Sequence, residues 1–530
     1  MNGLMMDFPL TLSAIFRRAE ALFGSQEIVS RNPDKSLHRY RVADWATRTR
    51  RLAQALIGLG VKPGERVATL AWNHGPHLEA YFGIPLMRGV LHTLNLRLHP
   101  DELAFIVNHA DDRVVLIDQS LLPLWEKVRP QLSNPPIEIV FGDQYEALLA
   151  KAAPIADCPD PDENSAVAMC YTTGTTGAPK GVLYSHRAIV LHTLGLALTG
   201  VMSISEQDTV CPVVPMFHAN AWGMPFAAVM TGAKMVMPGP HLDAASIVDL
   251  FARERVTITG GVPTIWIGVL QLLDDTPGAY DLSSMRYMFV GGSAVPQAMI
   301  EAFEKRHGMR IVHAWGMTEL APLGSISHLP SSLADAPDEV KFKNRAKQGR
   351  PAPFVEIRAR NENGFVPWDG ATMGELEVRG PWIAAGYYNR TDCGDRFTDD
   401  GWFKTGDIVT IDATGTIQVA DRAKDVIKSG GEWISSVALE CALMGHPAVA
   451  EAAVIPVDHP KWAERPLAAV VLKPGATATP AELRAFLEPQ FPKFWMPDAF
   501  EFIDAIPRTS AGKFKKSELR ERFKDYELGV

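Results

Sequence analysis

Cysteine is scarce: Cys158, Cys170, Cys211, Cys393 and Cys441 are the only five in 530 residues, with no C-x-x-C pair among them. Such spacing signals neither a zinc site nor a disulfide framework, and it suits a reducing compartment. Positive charge is also in short supply. The 52 Lys and Arg against 61 Asp and Glu give a formal net charge of −9, so the basic footprint of a general nucleic-acid binder is missing and any polyanion must be met by local charge. One charge-free segment, Ala188 to Ser205, is about long enough to cross a bilayer, but it carries His192, Gly195, Gly200 and several hydroxyls, and reads as a buried helix. At the N-terminus Asp7 stands where an export signal wants positive charge, and the apolar stretch breaks at Arg17 and Arg18. A cytoplasmic protein with no transmembrane segment is expected. Internal repeats and low-complexity segments are both absent.

What is present is concentrated in one loop, Tyr171 Thr172 Thr173 Gly174 Thr175 Thr176 Gly177 Ala178 Pro179 Lys180 Gly181. Its glycines admit close backbone approach to an anion, its threonines add short donors and Lys180 adds charge, which together make a phosphate cradle. Ala178 and Pro179 separate Gly177 from Lys180, so the pattern is not a Walker loop. Ala166 to Cys170 before it is strand-like, and Ser185 is placed to cap a helix from His186, which predicts a loop between strand and helix.

A length of 530 residues calls for a composite large domain and at least one smaller unit. Strand-like and helix-like segments alternate through the first 330 residues, the pattern of α/β layers with largely parallel sheets. In one clear unit Tyr287 to Val290 is a strand, Gly291 Gly292 Ser293 a turn, Pro296 a first-turn helix residue and Gly308 the helix stop. From about Gln348 short glycine-punctuated strands such as Gly374 to Arg379 predict antiparallel or barrel-like structure. A polar connector, Asp421 Arg422 Ala423 Lys424 Asp425, then precedes a small α+β unit in which Thr479 Pro480 Ala481 Glu482 forms a capping box between strands Leu467 to Leu472 and Ala499 to Ile506. The expected organisation is a large N-terminal domain over 1–420, built of two α/β layered subdomains plus a small β-barrel. A hinge at 421–424 then leads to a small mobile α+β domain over 425–530.

The threonine-glycine loop resembles the signature of the adenylate-forming superfamily: acyl-CoA synthetases, adenylation domains of peptide synthetases, and luciferases. Further motifs of the same family follow in its order, from about Phe8 to Lys524. His313 Ala314 Trp315 Gly316 Met317 Thr318 Glu319 resembles the motif that supplies an aromatic, an α-phosphate ligand and a metal ligand; here Trp315 replaces the commoner tyrosine. Gly291 Gly292 Ser293 Ala294 resembles the turn under adenine, and Thr405 Gly406 Asp407 the motif whose aspartate accepts the ribose hydroxyls. Pro507 Arg508 Thr509 Ser510 Ala511 Gly512 Lys513 resembles the loop that carries the catalytic lysine.

The resemblance implies an acid–thiol ligase that uses ATP, Mg²⁺ and CoA: acyl-AMP and pyrophosphate form first, and the acyl group then passes to CoA. It implies Lys513, Thr318, Glu319 and His218 as catalytic residues. Thr172, Thr173, Gly174, Thr175, Thr176, Gly177, Lys180, Gly292, Ser293, Ala294, His313, Ala314, Trp315, Asp407 and Arg422 would hold ATP or AMP, with Thr172 and Glu319 at the metal. Lys424 would be the hinge, and Lys428, Gly430, Gly431 and Trp433 would serve the thioester step. His218, Trp222 and Gly291 would border the acyl pocket, and a homodimer is implied as well.

The segment Pro215 to Gly223 lies in an uncharged stretch, and His218 stands where amino-acid-activating relatives carry an aspartate, so an α-amino acid is not expected. It most resembles bacterial fatty acyl-CoA synthetases. A medium- or long-chain fatty acid is the leading substrate, with a short sulfur-containing acid such as methylmercaptopropionate, or an aromatic acid, as the alternative. A carrier-loading adenylating enzyme is the other class considered. The C-terminal cations Arg508, Lys513, Lys515, Lys516, Arg520, Arg522 and Lys524, in local excess over Glu518 and Glu521, are a candidate surface for CoA phosphates.

Overall fold

The computed structural model describes all residues except 2, 157–159, 173–177, 391–393, 430–431, 509–512, 527 and 529–530. Two mainly parallel sheets dominate the first part of the chain. In one, Ile137–Val140, Asp112–Ile117, Arg66–Leu70, Val90–Thr93, Ala166–Thr172 and Lys180–Ser185 lie side by side, parallel except for the last pair. The other has nine strands, with Ile311–Gly316, Tyr287–Val290, Ile258–Gly261, Thr209–Pro212, Lys234–Met237 and Glu27–Arg31 parallel at its centre. The central strands, such as Arg66–Leu70, Val90–Thr93, Ile258–Gly261 and Tyr287–Val290, are short, mostly buried runs, as parallel strands covered by helices must be. Among the described residues no helix is long and apolar enough to cross a membrane.

The β-rich module expected as a small barrel is a five-stranded antiparallel sheet ordered Gly364–Phe365, Glu356–Asn361, Gly374–Arg379, Phe403–Ile411 and Ile417–Arg422. The C-terminal unit is a second five-stranded sheet with its own core, including Leu439, Leu443, Val454, Val470 and Leu483. Its capping box is present: Thr479 accepts from the Glu482 N–H, and the Glu482 carboxylate accepts from the Thr479 N–H.

Four expectations are corrected. The loop after Thr172 joins two antiparallel strands, with Thr172 opposite Lys180, and the helix His186–Ala197 follows only after the strand Lys180–Ser185. Val182 and Tyr184 are buried and Leu183 exposed there, a period-two pattern too short to stand out beside the loop. Pro296 is the helix N-cap rather than a first-turn residue. The last predicted strand stops at Phe502. Asp421 and Arg422 still belong to the strand Ile417–Arg422, and the turn proper begins at Ala423. Asp421 is polar by type but buried: its carboxylate accepts from Ser436, and burial pushes its pKa up.

Candidate functional site

The two parallel sheets and the antiparallel module meet where strands end. Thr172 is the last residue of its strand, Gly291 follows Val290 and Trp315 precedes the last residue of its strand, so the cluster stands at the carboxyl ends of parallel strands, where open α/β sheets bind ligands. Thr318 and Glu319 follow in a short 3-10 turn, Thr318–Leu320. Residues 173–177 lie outside the described residues, so Thr173, Gly174, Thr175, Thr176 and Gly177 receive no placement. Their flanks do: Lys180 Nζ sits over the Tyr387 ring, 4.9 Å from its centroid.

Glu319 is buried, and its Oε1 accepts from the Tyr387 hydroxyl at 2.7 Å. Tyr184 donates to the Thr318 carbonyl at 2.7 Å, tying the strand after the loop to the turn carrying Glu319. Asp407 is held from two sides: Trp315 Nε1 donates to Oδ2 at 2.9 Å and Arg422 Nε to Oδ1 at 2.9 Å. Arg422 stands directly across the ladder from Asp407 and also donates to the Thr405 carbonyl at 3.3 Å. His313, buried within its strand, faces the Ala346 carbonyl through Nδ1 at 2.9 Å, and burial lowers its pKa to about 4. The turn Gly291–Ala294 runs beside it. A Cβ on Gly291 would stand 2.8 Å from the Ala314 carbonyl oxygen, so only glycine fits there without movement.

Lys513 reaches this cluster from the C-terminal unit. Its Cε lies 3.8 Å from where a Cβ on Gly292 would stand. Burial, then the Arg422 charge, lowers the Lys513 pKa to about 8 against the opposing pull of Asp407 and Glu319. His218 feels the same cation: burial, then Lys513 and Arg97, lowers its pKa to about 4, so it is a neutral imidazole at neutral pH. The structure therefore brings Lys513, Glu319, Asp407, Arg422, Gly292 and His218 into one electrostatic neighbourhood.

Beyond His218 the backbone is strained. Ala219, Asn220, Ala221 and Trp222 have φ of 43°, 53°, 49° and 56°, four left-handed non-glycine residues in succession. Each costs about 1–2 kcal/mol, so the surroundings must hold the turn in place. The Trp222 indole lies 3.4 Å from the Cβ position of Gly260 and 3.5 Å from that of Gly291, resting on two glycines.

Other expected residues fall elsewhere. Lys428 and Trp433 are ladder partners that line a cavity of about 320 Å³ with Arg360, Asn361, Glu375 and Lys404. Gly430 and Gly431 lie outside the described residues. Lys424 is in the turn, its pKa lowered by burial and by Arg520 and Arg422. Four of the C-terminal cations are taken up by local ion pairs: Arg508 with Glu451, Lys515 with Glu518, Lys516 with Glu440 and Arg520 with Asp425. These pairs knit the small unit together. The sequence reading missed Tyr184, Tyr387 and Arg97. For Tyr387 a signal existed, an aromatic pair directly after Gly386 in a loop, where an aromatic needs a reason to be.

Residues 20–388 match the AMP-binding enzyme model and residues 438–513 the AMP-binding enzyme C-terminal domain. The chain belongs to the AMP-binding enzyme family. A Thermus thermophilus protein named long-chain-fatty-acid–CoA ligase is 49% identical over 99% of this chain and 98% of its own. The 3-methylmercaptopropionyl-CoA ligase of Ruegeria pomeroyi is 43% identical over the full length of both. Among solved structures, an anthranilate CoA ligase in complex with anthranoyl-AMP superposes with a TM-score of 0.87 at 25% identity, over 98% of each chain.

Proposed function

We propose that this chain is an ATP-dependent acyl-CoA ligase acting on a hydrophobic carboxylic acid, most directly a medium- or long-chain fatty acid. The observation that carries the reading is the delivery of Lys513 into the cluster of Glu319, Asp407 and His218. A carboxylate is a poor electrophile. Attack of its oxygen on the α-phosphorus of ATP expels pyrophosphate and leaves an acyl-AMP, and a thiolate then displaces AMP from the carbonyl carbon.

In this reading the loop from Thr172 to Lys180 holds the β- and γ-phosphates, Thr318 the α-phosphate, and Gly292, Ser293, Ala294 and Trp315 the adenine. Asp407 accepts the ribose hydroxyls with Arg422 alongside. Lys513 places an ammonium between the acid and the α-phosphate, where negative charge builds. Neutral His218 borders the carboxylate without competing for its charge. One buried carboxylate, Glu319, together with Thr172 suits Mg²⁺, which is ordinarily held by one or two carboxylates plus substrate phosphates and waters. That ion supplies neutralisation of the polyphosphate charge. Rotation of the small unit about Lys424 then brings Lys428, Gly430, Gly431 and Trp433 to the thioester step.

A panel of straight-chain fatty acids from short to long, with methylmercaptopropionate and an aromatic acid added, assayed by pyrophosphate release with CoA present, tests the substrate. The highest kcat/KM is expected for medium to long chains. A maximum at methylmercaptopropionate selects the second reading, which the Trp222 indole lying across Gly260 and Gly291 favours. No turnover of any acid would refute both.

Lys513 acts as an ammonium, and its pKa in the free protein is lowered to about 8. The protonated fraction falls as pH rises through that value, so kcat/KM for acyl-AMP formation is expected to decline on the alkaline side with a midpoint near it. The limb in kcat is expected at higher pH, because bound triphosphate and carboxylate favour the ammonium. A profile flat across that range contradicts the assignment.

A further inference from the structure

The strap over residues 384–388 lies outside every motif named above, yet it is pinned to both halves of the phosphate site. Ala384 N–H donates to the Glu319 carbonyl at 2.8 Å, and Tyr388 N–H donates to the Gly181 carbonyl at 2.9 Å. Between these pins stands Tyr387, 7% exposed. Its hydroxyl donates to Glu319 Oε1 at 2.7 Å while its ring face carries Lys180 Nζ at 4.9 Å from the centroid. The Phe397 ring packs at an angle against it with centroids 6.5 Å apart. One side chain thus touches the anionic and the cationic group at the polyphosphate end of the site.

The chemistry of each contact has a direction. A carboxylate with one oxygen tied by a phenol can no longer swing freely, so its other oxygen is presented in one orientation; among the described residues that second oxygen, Oε2, takes no protein hydrogen bond. Partners that fix a ligating carboxylate commonly change metal affinity by about 10–100-fold when removed. The ring face attracts an ammonium electrostatically and so limits where Lys180 can point. Phenylalanine in place of Tyr387 would keep the ring contact and lose the hydroxyl that donates to Glu319.

We propose that Tyr387 is a positioning residue for metal-bound ATP, aligning Glu319 through its hydroxyl and Lys180 through its ring. The proposal rests on the reading of Glu319 as the Mg²⁺ ligand, so both are measured together. Calorimetric binding of ATP to the full chain, once with excess Mg²⁺ and once with EDTA, gives a ratio of affinities that reports the metal's contribution without turnover.

Glu319→Gln is expected to collapse that ratio; if the ratio survives, Glu319 is not the ligand and the underlying reading fails. Tyr387→Phe is expected to lower the ratio about 10-fold or more while leaving metal-free ATP affinity unchanged, which also shows the variant folded. Tyr387→Leu is expected to weaken metal-free ATP several-fold in addition, as Lys180 loses its platform. In the Glu319→Gln background, Tyr387→Phe is expected to change the ratio no further. If Glu319→Gln collapses the ratio but Tyr387→Phe leaves it intact, Tyr387 merely packs. A Tyr387→Phe loss shared equally by metal-free ATP likewise overturns the proposal.

Discussion

Lys513→Ala is expected to slow acyl-AMP formation by about 10²–10³-fold or more, the range seen when one preorganised donor to developing charge is removed. The physical case is geometric and electrostatic. Lys513 is the cation that the C-terminal unit brings against Gly292, within reach of Glu319 and Asp407. Near an effective dielectric of 20, an ammonium about 4 Å from a unit negative charge is worth about 4 kcal/mol. Without it, the carboxylate nucleophile and the α-phosphate approach with unrelieved repulsion. The second half-reaction, thiol attack on supplied acyl-AMP, needs no such bridge, so Lys513→Ala is expected to keep it. Lys424→Pro, which stiffens the turn, is expected to give the reverse: acyl-AMP formation retained and thioester formation impaired. Rapid-quench assays of each half-reaction separate the two; equal losses in both halves for Lys513→Ala would remove it from adenylation.

Asp407→Ala is expected to lower kcat/KM for ATP by about 10²-fold or more. If Asp407 accepts the ribose hydroxyls as proposed, two hydrogen bonds to a carboxylate are lost, each worth about 1.5–3 kcal/mol because one partner is charged. The Trp315 indole N–H also loses its acceptor and Arg422 its ion pair, both now 2.9 Å from the carboxylate. Arg422 already lowers the Lys513 pKa while Asp407 raises it, so the variant is expected to move the alkaline limb of the rate to lower pH. Comparison of ATP with 2′-deoxy- and 3′-deoxy-ATP checks the contact. The wild-type protein should discriminate against both analogues and Asp407→Ala should not. Retained discrimination in the variant would place the ribose elsewhere.

The family was legible in the sequence because its marks are local: the threonine-glycine loop, Trp315 to Glu319, Thr405 to Asp407 and Lys513 are short runs whose residue types and order along the chain point to it. Helix starts were legible for the same reason: Ser185 and Thr479 cap the helices expected of them. The unread parts depend on long-range packing. No local pattern places Tyr387 against Glu319, 68 positions away in sequence. Nor does local preference lead to four left-handed residues from Ala219 to Trp222, since tertiary contacts override it there. The polar run from Asp421 looked like a free connector, yet Asp421 is buried against Ser436. The carboxylates that pair with four of the C-terminal cations, Glu440, Glu451, Asp425 and Glu518, are mostly distant in sequence, so no local pattern announces these pairs.

The path of one oxygen atom tests the central claim most directly. The protein is incubated with ATP, Mg²⁺, CoA and a fatty acid carrying ¹⁸O in both carboxylate positions, and the phosphate products are examined by mass spectrometry. Attack of the carboxylate on the α-phosphorus, followed by thiol displacement at the acyl carbon, is expected to leave one ¹⁸O atom in AMP and none in pyrophosphate. Unlabelled AMP, or label in pyrophosphate or orthophosphate, would contradict an acyl-adenylate route through Lys513.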